Sequence, residues 1–597
     1  MNFITGKQLY YAFAAGGEAV IAEREILNRM NVFPVPDGDT GSNLSYTLKS
    51  IIENTEIHND AGATMRSLAQ SALVGARGNS GILFAQFVNG MAEAVGDQSR
   101  ITLEQFVDSV NHAVTRAYEA ISNPVEGTML TVMRDWAHSI KEELNHVKDY
   151  PNLFRRTLDR AKQSLQDTMY KLEHLRKAGV TDAGARGFVN FISGFHDFLE
   201  AGAEVDHLHD RPAISGSLAV DEDPHADLED LEDLSFRFCT EGIVSGTDIA
   251  AGGVREALND LGDSLIVAGG GPHARIHIHS NNPAEVFYRL KQFGTVSNQK
   301  VDDMFRQFQM MKSPKARIGL VIDSTCDLPP ELLDEHQIHM APLTINFGDS
   351  SFLDRLTLKS EQFYRLLDEE SDFPTTSQPS PSIFSRLYGH LSSHYDSIIA
   401  VHISRPLSGT YNTSAQEASQ IEGTKISVLD SKTISASLGL MVLEAAQAIE
   451  EGKSHEEVVE LLDNLSHRTD MWVTTPSLNN FIRGGRVSKF KGGIGKLLGM
   501  RPIIGVTPEG ASRFRDKAFS YKGALKKIID QVIRGHQERG IQSFSVVHAA
   551  AQEEAEWVAR EIEQATGVKS SFISEISPVL GAHAGLGAVN LGLLYKK

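Results

Sequence analysis

The sequence predicts a multidomain chain: an all-α helical N-terminal domain, a small α+β middle domain and an α/β C-terminal domain of two lobes. Three observations carry this. Apolar residues recur at three- and four-residue steps through about the first 200 residues. An acidic, proline-bearing stretch interrupts at 205–233. After Ala316, short apolar strands alternate with amphipathic helices. A length of 597 residues also exceeds what one core usually serves.

In LEQFVDSVNHAVTRAYEAI, Leu103, Phe106, Val107, Val110, Val114 and Ala117 form one apolar stripe. Residues 152–176 have the same character, and β-rich runs are few, so residues 1–204 read as a helical bundle or barrel. The segment 205–233 has little apolar periodicity and reads as a solvated linker. In the middle domain, 234–312, FRFCTEGIV and ARIHIHS read as strands, and GGVREALNDLG and NPAEVFYRLKQFG as helices. Alternation puts His277 and His279 on one strand face and Ile276 and Ile278 on the other. In 316–597, the runs IGLVID, SIIAVHIS, KISVLD and SFSVVHAA with intervening helices predict parallel sheets flanked by helices, in two lobes with a crevice.

The net charge of −20 argues against nonspecific nucleic-acid binding, which positive charge dominates. Two cysteines, Cys239 and Cys326, make no disulfide framework and suit a reducing compartment. MNFITGKQLYYAF lacks the features of a signal peptide, and no run approaches ~18 uninterrupted apolar residues, so a cytoplasmic protein is expected.

The segment NVFPVPDGDTGSN (31–43) is the most informative. Asp37 and Asp39, one glycine apart on a tight turn, can converge on a hard cation such as Mg²⁺, which shares oxygen ligands with nucleotide phosphates. An Asp-Gly pair is also a common turn in its own right. Three more glycine-bearing turns follow: VGARGNSG (74–81), PVEGTML (124–130) and TDAGARG (181–187). Each could be a plain helix connection; together they offer backbone donors and hydroxyls around one anion site.

DGDTGSN, GNSG, GTML and TDAG, in this order, resemble the nucleotide-binding L subunit of dihydroxyacetone kinases and, more closely, the kinase head of bacterial fatty acid kinases. The resemblance implies an all-α barrel binding ATP through Mg²⁺. Asp37 and Asp39 would be catalytic metal ligands. Thr40, Gly41, Ser42, Asn43, Asn79, Ser80, Thr128, Met129, Asp182 and Gly184 would line the nucleotide. Where dihydroxyacetone kinases carry a third Asp, this chain has Asn31, whose amide oxygen can ligate Mg²⁺ without charge.

In the middle domain, Cys239, His277 and His279 offer a thiolate and two imidazoles, a donor set that suits Zn²⁺, with His273 as a further candidate. The alternative is a structural cysteine with surface histidines. This segment resembles the middle domain of fatty acid kinases, where such a Cys and His pair belong to the site.

Residues 316–597 resemble the DegV family, whose members hold a fatty acid, through IDSTCDLP (322–329), PTTSQPS (374–380), SRPLSGTYN (404–412), DSKTIS (430–435), RGGRVS (483–488) and SPVLGAHAGLGAV (577–589). A fatty acid needs an apolar tunnel and a few neutral donors. Thr376, Ser377 and Ser408 in strand-to-helix turns could supply them, with His583 nearby, although a Ser-Gly turn can simply cap a helix. Residues 471–508 contain no acid but include Arg483, Arg486, Lys489, Lys491, Lys496 and Arg501 among apolar residues. That basic loop could touch anionic lipid headgroups at the inner membrane face, or be ordinary solvated surface.

The resulting expectation is transfer of the ATP γ-phosphate to a fatty acid carboxylate, giving an acyl phosphate for a downstream acyltransferase, from a chain that forms homodimers. The alternatives are a dihydroxyacetone-type polyol kinase, for which no separate sugar-binding unit is evident, and a lipid carrier or sensor with an inactive head.

Overall fold

A computed structural model describes residues 1–33, 38–202, 235–370, 372–477, 479–484 and 500–596. The acidic segment expected as a linker, 205–233, therefore lies outside the described residues. The chain forms two compact units. One comprises residues 1–282 and 289–305; the other comprises 283–288 and 306–597.

The first unit begins with strand β1 (Phe3–Thr5), which pairs antiparallel with β2 (Arg100–Thr102). Its helices are α1 (Gly6–Ala22), α2 (Arg24–Arg29), α3 (Thr40–Asn54), α4 (Ala61–Gly75), α5 (Gly78–Val95), α6 (Leu103–Ala120), α7 (Met129–Glu143), α8 (Tyr150–Lys171), α9 (Glu173–Ala178) and α10 (Ala183–Glu200). The starts of α1 and α6 carry the chemistry expected of a helix beginning. Thr5 and Thr102 each accept from the backbone N–H three residues on, and Gln8 and Gln105 reach back to the cap. Helices α1, α3, α4, α5, α6, α7, α8 and α10 each pack on the next, and α10 returns to α1, closing a ring. Aromatic rings fill it. Phe188, 1% exposed, meets Phe87 and Trp136 edge-on, and Phe154 stacks on Phe195. Truncating such a ring to alanine costs about 3–5 kcal/mol.

The same unit continues into a three-stranded antiparallel sheet, ordered β4 (Gly262–Ser280), β3 (Phe238–Ile249) and β5 (Thr295–Asp303). Strand β5 was not evident in the sequence, because TVSNQKVDD is too polar to read as a strand. The sheet packs on the ring rather than standing apart. Ile121 bridges to Ile266, and Gly269 N–H donates to Gln86 Oε1 at 2.7 Å.

The second unit contains a parallel four-stranded sheet ordered Lys425–Asp430, Ser397–His402, Ile318–Asp323, His339–Ala341. A six-stranded sheet is ordered Ser512–Ala518, Arg501–Val506, Thr469–Thr474, Val589–Tyr595, Ile541–His548, Ser570–Glu575. The expectation of parallel sheets holds for the first but not the second, where only Ile541–His548 and Ser570–Glu575 pair in parallel. Apolar runs report burial on both faces, not strand direction. A three-stranded antiparallel sheet, Thr375–Ser377, Thr344–Phe347 and Ser350–Leu353, completes the unit. No helix among the described residues is long and apolar enough to cross a membrane.

Candidate functional sites

Four helix starts meet at one end of the helical ring. Thr40, Gly41, Ser42 and Asn43 form the first turn of α3; Asn79 and Ser80 lie in that of α5; Thr128 precedes Met129, the first residue of α7; Asp182 caps α10, with Gly184 in its first turn. Their convergence is visible at Gly184, where a Cβ would lie 2.9 Å from Ser80 Oγ and 3.0 Å from Met129 Cε. Gly78 joins α5 to α3: its φ is +57°, a region that favours glycine, and an added Cβ would collide with the Asn43 amide. Convergent N-termini gather N–H groups and positive dipole ends, which suits phosphate oxygens.

Asn31 is buried, and its Oδ1 accepts from Thr40 Oγ1 at 2.8 Å, which holds the amide against the first turn of α3. Asp37 lies outside the described residues. Asp39, half-buried, immediately precedes α3. Asn79 Oδ1 is buried with no hydrogen-bond partner. Asp182 accepts from Ala185 N–H at 2.7 Å, and burial pushes its carboxyl up to about 6 against the pull of that bond and of Met129 N–H. Asn28 carried no signal in the sequence. Its amide takes Ser42 from both sides, accepting from Ser42 N–H and donating to Ser42 Oγ at 3.0 Å each. It thereby fixes the turn after Asp39.

The middle sheet lays a second polar cluster against this end. Cys239 and His279 are cross-strand partners on β3 and β4, as are Glu241 and His277. Ligand atoms of Cys239, His277 and His279 all lie within 4.8 Å of one another, with the sulfur 3.9 Å from His277 Nδ1. His277 and His279 are buried, which overturns the reading of them as surface histidines: the sheet face they share packs inward. His277 Nε2 has no hydrogen-bond partner. A thiolate with two neutral imidazoles is a zinc-type donor set. His273 is not in the cluster and bonds Ser245 Oγ at 2.9 Å. Burial raises the Cys239 thiol well above its ordinary value; Glu241, Asp302 and Asp39 add to this, so Asp39 stands within electrostatic reach of the cluster.

Glu241 was missed in the sequence. It is fully buried, accepts Gly78 N–H at 2.7 Å and Arg275 Nη2 at 2.9 Å, and lies 3.5 Å from His277 Nδ1. Burial alone would raise its carboxyl, but His277, Lys300 and Arg275 hold it well below the usual carboxylate range. The readable signal was the alternation itself: Cys239-x-Glu241 facing Arg275-x-His277-x-His279.

In the second unit, Thr376, Ser377, Ser408 and His583 line one cavity of about 940 Å³, mouth included, as expected from the sequence. Thr376 Oγ1 lies 2.9 Å from His583 Nε2, and Ser408 Oγ lies 2.8 Å from Thr410 Oγ1. Thr376 and Ser377 sit on the edge strand Thr375–Ser377 rather than in a turn; Ser408 precedes the helix Thr410–Ala418. Away from these groups the lining turns apolar, with Met471, Val473, Ile504 and Val506 packed by Ile434 and Phe481.

Buried acids hold the polar end in place. Asp354 accepts Val579 N–H at 3.1 Å and Ser324 Oγ at 2.6 Å; Asp327 accepts Ser577 N–H at 2.8 Å. Both thus cap the short helix Pro578–Ala584 that carries His583. Burial pushes Asp354 up to about 7 and Asp327 up to about 6. Arg483 lies over the Phe373 ring at 4.3 Å, and Arg501 opens a strand; Arg486, Lys489, Lys491 and Lys496 lie outside the described residues.

Comparison with known proteins bears on each part. Residues 317–596 match the model of the DegV family of uncharacterised proteins, residues 34–197 that of the DAK2 domain, and residues 235–311 that of the FakA-like middle domain of fatty acid kinases. A DegV domain-containing protein of Staphylococcus aureus strain N315 is 36% identical over 283 residues, 46% of this chain and 98% of that protein. An uncharacterized protein of Staphylococcus epidermidis is 30% identical over 310 residues, 51% of this chain and 56% of its own length, so the match spans about half of that relative. Among solved structures, a DegV family protein of Thermus thermophilus, described for fatty acid binding, superposes with a TM-score of 0.44 at 28% identity, covering 47% of this chain and 99% of its own. DegV of Bacillus subtilis, described as a fatty acid binding protein, gives 0.44 at 28% identity over 47% and 100%.

Proposed function

The chain belongs to the DegV family through its C-terminal half, joined to a DAK2 domain and a FakA-like middle domain, and from that premise we propose that it is a fatty acid kinase carrying its lipid-holding domain in the same polypeptide. The observation that supports this best is the cavity: hydroxyls and an imidazole at one end, an apolar lining beyond. Thr376, Ser377 and Ser408 donate to the fatty acid carboxylate, and His583 orients the Thr376 hydroxyl. Neutral donors stabilise the anion without trapping it in an ion pair.

A carboxylic acid is ionised at pH 7, so its oxygen attacks the γ-phosphorus of ATP without a general base. A P–O bond forms to the acyl oxygen, the bond to the β-phosphate oxygen breaks, and acyl phosphate and ADP leave. Positioning and charge neutralisation carry such a transfer. In the head, Asp39 with Asp37 and Asn31 would hold Mg²⁺, which would supply positive charge to neutralise phosphate oxygens. Backbone N–H groups and hydroxyls at the starts of α3, α5, α7 and α10 cradle the phosphates. Cys239, His277 and His279 suit Zn²⁺, and Glu241 ties their strands to the Gly78 backbone. The acyl phosphate is an activated acyl donor for an acyltransferase.

The test is turnover by the full chain with ATP, MgCl₂ and oleate. ADP release should depend on oleate, and hydroxylamine should trap an acyl hydroxamate. ADP release stimulated instead by dihydroxyacetone, or oleate bound with no turnover, would overturn the reading.

A further inference from the structure

Among the described residues, four helices of the ring have an aspartate at the N-cap, and three of those aspartates act alike. Asp60, Asp149 and Asp182 precede α4, α8 and α10 with ψ between 126° and 162°. Each side chain accepts the N–H three residues on, from Ala63, Asn152 and Ala185. Asp39 holds the same place before α3, yet its side chain makes no capping bond. Its backbone is turned to φ −109°, ψ −3°, away from the extended conformation from which a cap reaches back.

The N–H that Asp39 would take belongs to Ser42, and another helix takes it instead. Asn28, in α2, accepts Ser42 N–H through Oδ1 at 3.0 Å and donates through Nδ2 to Ser42 Oγ at 3.0 Å. A backbone N–H can only donate, so the amide oxygen must face it, and the orientation of Asn28 is fixed. Asn28 is 1% exposed. Gly41 lets α2 come this close: a Cβ there would lie 2.7 Å from Asn28 Oδ1 and collide with Arg24 O. With a neutral amide as the cap, Asp39 carries a carboxylate that its own helix does not engage. Carboxylate oxygens are the ligands that a hard divalent cation takes.

We propose that Asn28 is a positioning residue: it caps α3 in place of Asp39 and so keeps the Asp39 carboxylate available to a divalent cation. This rests on the reading of the helix starts as a Mg²⁺–nucleotide site. It adds the reason why Asp39 can serve a metal although it stands where a helix wants a cap. Without the Asn28 amide, the Ser42 N–H falls to Asp39, as the corresponding N–H falls to Asp60, Asp149 and Asp182. The carboxylate then turns back onto its helix.

The test measures ADP binding to the full chain by calorimetry, in MgCl₂ and in EDTA. The ratio of the two affinities is the cation's contribution. Asn28→Leu is close in size and removes both bonds. Its ratio should fall about 10- to 100-fold, the range for losing a group that orients a metal ligand, while its affinity in EDTA stays close to the parent's. Asp39→Ala should lower the ratio as well, and adding Asn28→Leu to it should lower it no further, because both act through one carboxylate. A ratio unchanged in Asn28→Leu, an equal loss of affinity in MgCl₂ and EDTA, or effects that add in the double variant would each overturn the proposal. Should Asn28→Leu not fold, two further variants decide it. Asn28→Asp keeps an acceptor for Ser42 N–H and should retain the ratio; Asn28→Ser is too short to reach and should lose it. No difference between these two sinks the proposal. A parent that binds no ADP, or binds it equally in MgCl₂ and EDTA, would instead bring down the nucleotide site itself.

Discussion

Replacing Glu241 by alanine should damage the first unit far more than its single carboxylate suggests. Glu241 and Arg275 have side chains with no exposure, and Glu241 Oε2 lies 2.9 Å from Arg275 Nη2. Removing the carboxylate strands a guanidinium in the interior, where Arg275 Nε and Nη1 already have no hydrogen-bond partner. Breaking one side of such a buried pair costs about 3–5 kcal/mol. The Gly78 N–H loses its charged acceptor as well, a bond of about 1.5–3 kcal/mol by itself, but the two losses share one side chain and do not add. The expected total is therefore about 3–5 kcal/mol. Since the chain has two compact units, a global unfolding midpoint would blend them. Hydrogen exchange resolved by peptide is the better assay: amides of α5 and of β3 and β4 should exchange about 10²- to 10⁴-fold faster. The double variant Glu241→Leu with Arg275→Met should recover most of the loss, because an apolar pair of similar volume can replace a buried ion pair. Protection in Glu241→Ala within about 1 kcal/mol of the parent, or a double variant no better than the single, would refute the reasoning.

Asp39→Ala should slow oleate-dependent ADP release by about 10²-fold or more while native mass spectrometry still finds lipid bound, because the change touches only the head. Thr376→Ala should weaken oleate binding roughly 10-fold by calorimetry, through loss of one donor to the carboxylate. Stability of the second unit should fall as pH rises. Asp354 is raised to about 7 and Asp327 to about 6, so between pH 4 and 7 the native state binds protons that the unfolded chain has already released. For Asp354 the change is about 3–5 kcal/mol, complete below the unfolded carboxylate pKa and lost through pH 7. Asp354→Asn should flatten the slope of urea midpoint against pH; an unchanged slope would show that another group causes it.

Much of the site was legible because it is local. A glycine-bearing turn before a helix acts through residues within a few positions, so DGDTGSN, GNSG, GTML and TDAG reveal helix starts that gather anion-binding groups. The lipid motifs behave likewise: Thr376, Ser377, Ser408 and His583 all reach one cavity. Glu241 was missed because the alternation Cys239-x-Glu241 gains its meaning only once the facing strand with Arg275, His277 and His279 is known.

Sequence alone determined that about the first 200 residues are helical, that four glycine-bearing turns open helices there, and that the C-terminal half alternates strand with helix. These depend on apolar periodicity and turn chemistry, which act over one or two turns of chain. Only the tertiary structure decided that the middle sheet packs on the helical ring, that His277 and His279 turn inward, and that the six-stranded sheet is mainly antiparallel. Gly78 meets Glu241 across 163 residues of chain. Such a pairing is chosen by which surfaces exclude water together, a property of the assembled fold that no short window of residues contains.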